Sequence, residues 1–453
     1  MTDRPEDVLP RTARPDRDYD VIVCGGGPAG IAAAVASAMT GATTLILEGR
    51  SQFGGTATAA MWMEINVLFK DDKETSRGGV HEILVNAIRK WGRDASRPGK
   101  RNVGWFGTMG NLHCHPEYLK KVIFDLFDEY GIDYQLYSPV VNVERDGSRL
   151  TGVVAGVKEG RVTFHGKTIV DATGDGDVAW LAGCEMAASG DEDTGWRPPV
   201  TVAWAVCNVD CERFFDWCGQ NAVKTFEWKG KECHGFGDVL GMYREQGCNL
   251  PSWVGLAETT IPGVISVNNG TSGDLSLDFS QSAARTLIEK MAIDQALEFM
   301  RLAREEKFPG MENVCLMRTG GFAMARDTRR LIGEYVFTEK DCLEGTDFDD
   351  AVASKYGGSD PVGTQRGNVA IKQGAKLPYR MLLPKDVDGL LVTGRCASAT
   401  MLGHYGGKSM GNMISLGQAA GVAAALCAGE ALMPRQLDAA KVQARLAEMG
   451  VSL

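Results

Sequence analysis

The chain has 453 residues, 44% of them hydrophobic, with 48 basic against 58 acidic side chains and a net charge of −10. That length exceeds one simple core and predicts two or three domains, while the acidic balance argues against a nucleic-acid partner and still admits a local basic pocket. No stretch reads as the roughly 18–20 apolar residues that cross a bilayer, so no membrane partner is expected. Twelve scattered cysteines without a CxxC predict reduced thiols in a cytoplasmic protein and no metal site.

In chain order, Met1–Arg17 is charged and proline-dotted, lacks the apolar centre of a secretory signal, and reads as a disordered leader. Tyr19–Cys24 is a β-branched apolar run suited to a buried parallel strand. "GGGPAG" follows, then the Ala-rich helix Pro28–Thr40, a second apolar run Thr43–Leu47, and Glu48. Gly25, Gly27 and Gly30 take the three fingerprint positions, and Glu48 stands 23 positions after Gly25. In such a unit the turn amides and helix N-terminus hold a pyrophosphate, and the acid accepts hydrogen bonds from a ribose.

Pro116–Tyr130 predicts a helix from Leu119, Ile123, Leu126 and Phe127, stopped at Gly131, with Ile132–Leu136 as the next parallel strand. Val140–Glu144, Leu150–Val157 and Arg161–Phe164 read as a β-meander, and Lys167–Ala172 as the strand that returns to the main sheet. Between Trp196 and Gly374 the pattern changes to isolated strands and one long helix, Ser282–Glu306, with Ile293, Leu297 and Met300 on one face. A small-residue helix is expected around Ser415–Cys427 and a final one at Arg435–Glu448.

From Glu48 onward the chain resembles the FAD-dependent oxidoreductases of the glutathione-reductase-like fold. The resemblance rests on "GRSQFGGTATAAMW" after the acid, on "VDATGDGDVAWLAGC" (Val170–Cys184) as a second dinucleotide motif, and on "GLLVTGRCASATMLGHYGGKSMGNMISLGQAAGVAAALCA" (Gly389–Ala428) as a third. "FPGMENVCLMRTGGFAMARDTRRLIGEYVFTEKDC" and "KLPYRMLLP" are similar to one chemically diverse bacterial branch of that family. It implies an α/β fold: a Rossmann-like FAD-binding domain with a β-meander and an inserted α+β substrate or cap domain. The expected boundaries are 1–17 leader, 18–195 first FAD-binding part, 196–374 cap, and 375–453 C-terminal FAD-binding part. FAD, not NAD, is then the resident cofactor. Its implied contacts are Gly25, Gly27, Pro28, Ala29, Gly30, Glu48, Gly49, Arg50, Gly54, Gly55 and Thr56 in the first motif. Val140, Val141, Ala172, Thr173, Gly174 and Asp175 are implied in the middle, and Gly394, Arg395, Gly411, Asn412, Met413 and Ile414 near the end.

For chemistry beside a flavin, His404, Tyr405 and Lys408 stand in a Gly-rich stretch that includes Gly406 and Gly407. His404 would serve as acid or base near neutral pH and Lys408 would hold an anionic group. Related sequences often carry arginine near the Lys408 position, and lysine does not supply the same bidentate clamp. Arg330, with Arg326 and Arg329 in "RDTRR", either meets substrate or flavin phosphate or pins the cap through Asp327, Glu334 or Asp341. "HCHP" (His113–Pro116) suggests pocket shaping or helix capping ahead of a covalent flavin link, and Trp62, Trp105 and Phe106 fall in an irregular stretch that is as readily core as pocket. The function expected is hydride transfer between a small organic substrate and FAD, as a dehydrogenase, oxidase or reductase. A flavin monooxygenase using NAD(P)H and oxygen, or a non-catalytic flavin-binding protein, stands as the alternative. The substrate and the electron acceptor are left unnamed by the sequence, and a homo-oligomer is compatible with it.

Overall fold

The structure, a computed structural model, describes residues 11–60, 63–98, 102–103, 110–219, 225–273, 275–357, 374–405 and 408–453. Trp62, Trp105, Phe106, Gly406, Gly407 and the first ten residues of the leader lie outside them. Strand β1 (Tyr19–Cys24) is almost wholly buried and feeds helix α1 (Pro28–Met39) through the glycine turn. Gly27 is the N-cap and Pro28 opens the first turn, where a missing N–H costs no helical hydrogen bond. Strand β2 (Thr44–Leu47) returns parallel to β1. Helix α2 (Gly79–Arg89) and helix α3 (Pro116–Glu129) follow, then β3 (Asp133–Gln135), β4 (Val140–Asp146), β5 (Arg149–Val157) and β6 (Gly160–Asp171).

The main sheet runs β3-β2-β1-β6-β5-β4, with a late strand, Leu390–Val392, also paired to β6. The separate strands expected at Arg161–Phe164 and Lys167–Ala172 are one strand. Its first half pairs antiparallel with β5, and from Gly166 it runs parallel to β1. Gly166 and the β-branched residues beyond it carry one ladder into the other without a turn. The meander is thereby fixed rigidly to the nucleotide-type sheet.

The disordered leader is corrected for its last residues. The Tyr134 amide donates to the Arg11 carbonyl at 2.8 Å, and Arg17 pairs with Asp133 at 3.2 Å. The open edge of β3 supplies the unpaired backbone groups that order this segment.

A second sheet is built from β7 (Trp204–Cys207), β8 (Val254–Glu258), β9 (Ile265–Asn269) and β10 (Cys315–Thr319), in the order β10-β7-β9-β8, with Asn102–Val103 added beside β8. Its core holds Trp204, Phe214, Phe236, Phe299 and Phe308. Helix α4 (Ser282–Glu305) buries Ile288, Ala292, Ala296, Phe299 and Met300, whereas Ile293 and Leu297 are 47% and 55% exposed. The expected face is therefore rotated, because Phe299 joins the aromatic cluster and the alanines allow close approach. The chain also crosses between layers more often than one insertion at 196–374 implies: Phe337, Cys342, Val352 and Ala353 belong to the first layer's core.

Helix α5 (Met410–Glu430) is long and apolar enough to span a bilayer, contrary to the reading of the sequence, but it is buried inside the molecule. It lies on α1 with backbone almost touching backbone. A Cβ on Gly417 would come within 2.1 Å of the Ala29 carbonyl oxygen, and one on Gly421 within 2.1 Å of the Ala33 oxygen. The matched order of these contacts means the helices run in parallel, with both N-termini toward the same end. Gly421→Ala should therefore cost about 1–3 kcal/mol or more through overpacking. Gly429→Ala, where a Cβ meets nothing within 4 Å, should gain up to about 1 kcal/mol from helix propensity. Thermal unfolding of the two variants checks this, and equal Tm values would contradict the close contact.

Candidate functional site

The C-terminal ends of β1, β2 and β6 and the N-termini of α1 and α5 surround a cavity of about 270 Å³, closed from the other side by residues of the second layer. Each fingerprint glycine has its own reason. Gly25 takes φ +102°, and a Cβ there would sit 2.5 Å from the Ala172 oxygen, so it lets the first turn press on the second motif. A Cβ on Gly30 would meet the Gly25 oxygen at 1.8 Å, so it allows the helix to start close to the turn. A Cβ on Gly27 would meet no protein atom within 4 Å, and Gly27 lines the cavity. That open cradle at a helix N-terminus is what a pyrophosphate needs. Glu48, 7% exposed, accepts from the Gly26 amide at 2.7 Å and the Arg50 amide at 2.8 Å, and it also lines the cavity. The residues present thus fit a dinucleotide.

The second motif divides its work between two carboxylates. Asp171 is buried and accepts from Thr173 and from the Ala179 amide, clamping the turn from behind. Asp175 faces the cavity, bound by Arg285 at 2.6 Å, by the Thr328 hydroxyl at 2.9 Å and by Arg395. Burial alone would raise its carboxyl, but Arg395 and Arg285 hold it well below the usual carboxylate range.

Among the residues expected from sequence, Gly25, Gly27, Pro28, Ala29, Glu48, Arg50, Gly55 and Thr56 meet at this cavity. Ala172, Thr173, Gly174, Asp175, Gly394, Arg395 and Met413 join them, as do Tyr405 and Lys408. The others stand behind the wall. Gly30 and Gly54 shape turns, Gly49 packs on Pro139, and Gly411 packs on the Val67 carbonyl. Asn412 bonds to Arg77 and the Tyr356 backbone, Ile414 lines a small apolar void, and Val140 and Val141 lie on β4 with Val141 41% exposed. Arg330 is fully buried on Asp327 and Glu192 and donates to the Ala399 and Gly190 carbonyls, so it ties the two layers together and does not line the cavity.

His404 is 5% exposed and also lies outside the cavity lining. Burial comes first, then the charges of Lys408, Arg330, Arg395 and Lys355, in holding its imidazole well below the ordinary value. It is therefore neutral in the folded chain, not poised near neutrality. His115 accepts from the Glu117 amide and caps α3, while His113 is buried against Glu64 at 3.5 Å. Neither reaches the cavity.

Sequence reasoning passed over Asn66, Val67, Thr201, Asn268, Arg285 and Phe322, all of which line it. Arg326 lines it too, from the same "RDTRR" run as Arg330. Its guanidinium lies 5.1 Å from the Trp253 ring and reaches Thr201 and Asn268 at 3.4 and 3.5 Å. Arg50 stacks on Phe322 at 3.7 Å. Val67 has φ +56°, unusual for a β-branched residue and a sign of local strain at a site. Among the described lining residues, Arg50, Arg285, Arg326, Arg395 and Lys408 face only Glu48 and Asp175. An acidic chain has gathered a positive cavity.

The buried histidines carry a pH signature. His81 is held well below its ordinary value by burial and then by the Arg77 charge, as His404 is by burial and its neighbours. Both stay neutral when folded and take up protons below pH ~6.5 when unfolded. The unfolded state then binds more protons, so stability falls as pH drops through that value. Tm measured between about pH 8 and pH 5 should fall, and His81→Gln combined with His404→Asn should flatten the fall. An unchanged slope in the double variant would contradict the neutral burial of these rings.

A sequence model of the family described as FAD dependent oxidoreductase matches residues 20–446. A digeranylgeranylglycerophospholipid reductase of Picrophilus torridus is 28% identical over 225 residues, covering 47% of this chain and 54% of that protein. The matched region is thus about half the length of that curated relative. Among solved structures, a geranylgeranyl bacteriochlorophyll reductase-like protein of Thermoplasma acidophilum is 15% identical with a TM-score of 0.48, covering 96% of this chain and 83% of that one. The flavin-dependent brominase Bmp2 is 12% identical with a TM-score of 0.50, covering 96% and 84%. At 12% identity the likeness to the brominase speaks to fold alone, whereas the family match spans nearly the whole sequence. The chain belongs to the FAD dependent oxidoreductase family.

Proposed function

We propose that the protein passes a hydride between FAD and a small organic anion, and that the cavity between its two layers is where this happens. The observation that carries the reading is the lining itself, which holds the glycine cradle, Glu48 and the cap-layer Arg326 together. FAD supplies the electron transfer, and the chain's residues bind, orient and exclude water. The amides following Gly27 would hold the diphosphate and Glu48 the adenosine ribose, with Arg50 and Arg395 adding positive charge. Val67, Met410 and Met413 would border the flavin ring. With Asp175 already engaged by Arg285 and Arg395, positive charge remains for the diphosphate and for a further anion.

Arg326 is the group proposed to hold that anion, steadied by Trp253, Thr201 and Asn268. Ala323, Met324 and Ala325 make the adjoining wall apolar, which suits a substrate with a hydrocarbon body. Tyr405 and Lys408 are the cavity-lining side chains proposed to hold the proton that leaves with substrate oxidation. His404 is withdrawn from that role. Twelve scattered cysteines without a CxxC support a reducing, cytoplasmic setting.

Gly27→Val should fold and lose FAD, since a Cβ there meets no protein atom within 4 Å and the branched side chain would occupy the cradle; normal flavin content in the folded variant would contradict the site. Glu48→Ala should weaken FAD roughly 10–100-fold, the loss expected for hydrogen bonds to a charged group, as read by titrating apoprotein with FAD. Anaerobic bleaching of the holoprotein by a panel of hydroxy acids and amino acids, with neutral amides as controls, tests the reaction itself. Arg326→Met should keep FAD yet raise the half-bleaching concentration roughly tenfold or more, the discrimination lost with a charged contact. His404→Asn should stay far from the roughly 10²–10⁴-fold loss of a positioned acid–base group. Bleaching by neutral compounds alone, or none by Arg326-dependent anions, would overturn the anion reading. Oxygen uptake driven by NAD(P)H would point to hydroxylation instead.

A further inference from the structure

Behind the wall formed by Val67 and the first turn of α5 lies a buried cation. Arg77 is 3% exposed and makes four hydrogen bonds, all to neutral acceptors. One terminal nitrogen donates to the Val67 carbonyl at 2.8 Å and to Asn412 Oδ1 at 2.9 Å. The other donates to the Ser354 carbonyl and to Ser415 Oγ, each at 2.6 Å. Its guanidinium also sits 4.8 Å from the centre of the Tyr356 ring. Among the described residues no carboxylate forms an ion pair with it.

Two other ionisable side chains border this cluster among the described residues, Tyr356 beneath the guanidinium and His81, whose Nε2 lies 2.7 Å from the Gly411 carbonyl. The histidine is neutral, for the reasons given above, so it neither cancels nor adds to the arginine. Burial pushes Arg77 down to about 9, which leaves it charged at neutral pH. A buried charge without an opposite partner is costly, and removing the cost by a nearby carboxylate or an apolar replacement is physically easy. The uncompensated cation therefore invites a reason.

Its position supplies one. Val67 lines the cavity, and its carbonyl is fixed by Arg77 while its amide donates to Asn111 at 3.1 Å. Asn412 and Ser415 belong to the first two turns of α5, next to the lining residues Met410 and Met413. The helix N-terminus and the guanidinium thus present positive charge to the same wall, through protein of low dielectric where fields are weakly screened. Reduction of a flavin adds negative charge to its ring, and charge near the ring is a recognised control on its potential.

We propose that Arg77 is a positioning residue that raises the reduction potential of the bound flavin, by placing an unneutralised charge behind Val67 and the N-terminus of α5. The inference rests on FAD occupying the cavity as proposed above. Failure of that reading would show separately, as unchanged FAD affinity in the Gly27→Val and Glu48→Ala proteins.

The test is the two-electron midpoint potential of the FAD-loaded protein, measured with reference dyes, together with its affinity for sulfite. Sulfite adds to the oxidised ring and leaves negative charge on it, so it reports the same field without turnover. Arg77→Met should lower the reduction equilibrium at least about tenfold, a shift of about 30 mV for two electrons, and weaken sulfite comparably. Arg77→Lys keeps the charge but loses the fork, so it should lose thermal stability while its potential stays near wild type. An Arg77→Met holoprotein with unchanged potential, or an Arg77→Lys shift as large as tenfold, would overturn the proposal. Should Arg77→Met fail to fold, the Arg77→Lys potential decides alone: near wild type supports the charge role, and a tenfold shift refutes it.

Discussion

The contact on which the rest of this molecule depends is the backbone-to-backbone approach of α1 and α5. Gly417 and Gly421 have no side chain, so α5 can lie against the Ala29 and Ala33 carbonyls. Two consequences follow from one steric fact. The helices are parallel, so both positive ends are turned to one cavity, and residues nearly four hundred positions apart become neighbours. A helix that could pass for a membrane span is instead the central post of the first layer's core, because its small residues are used for packing against protein.

Charge is arranged in layers around that post. At the cavity, arginines outnumber carboxylates, and Asp175 serves as the hub that spaces Arg285 and Arg395 apart. One shell outward, Arg330 is sealed between Asp327 and Glu192 and joins the cap layer to the loop before Met401. Further back, Arg77 has no acid paired with it among the described residues. The same residue type thus lines the cavity, pins layers or stands as a buried charge according to the carboxylates that accompany it.

Much of the fold was readable in the sequence because it is written in local patterns. The span of Tyr19–Cys24, the proline start of α1 and the acid at the end of β2 need only apolar runs and turn glycines. The helices at Pro116 and Ser282 also announced themselves by period. What could not be read were choices made by distant partners. Arg326 and Arg330 look alike in "RDTRR", and only Asp327 and Glu192 decide which one is sealed away. His404 has the residue type and glycine-rich setting of a catalytic base, yet it is buried outside the cavity lining, where burial and then four nearby cations hold its basicity well below the ordinary value. Ile293 and Leu297 have helical spacing, but the aromatic cluster of the second layer selects Phe299. Arg285 has no local mark and reaches the cavity only because α4 is laid beneath Ala323 and Ala325.

The central claim is that one extended dinucleotide runs from the glycine cradle to the wall made by Val67 and the N-terminus of α5. A crystal structure of the FAD-loaded protein tests it most directly. The account predicts the diphosphate against the amides following Gly27, the adenosine ribose on Glu48, and the flavin ring beside Val67 and Met413 with Arg326 across the cavity. A flavin ring at the Glu48 end, or FAD bound away from the Gly27 cradle, would contradict it.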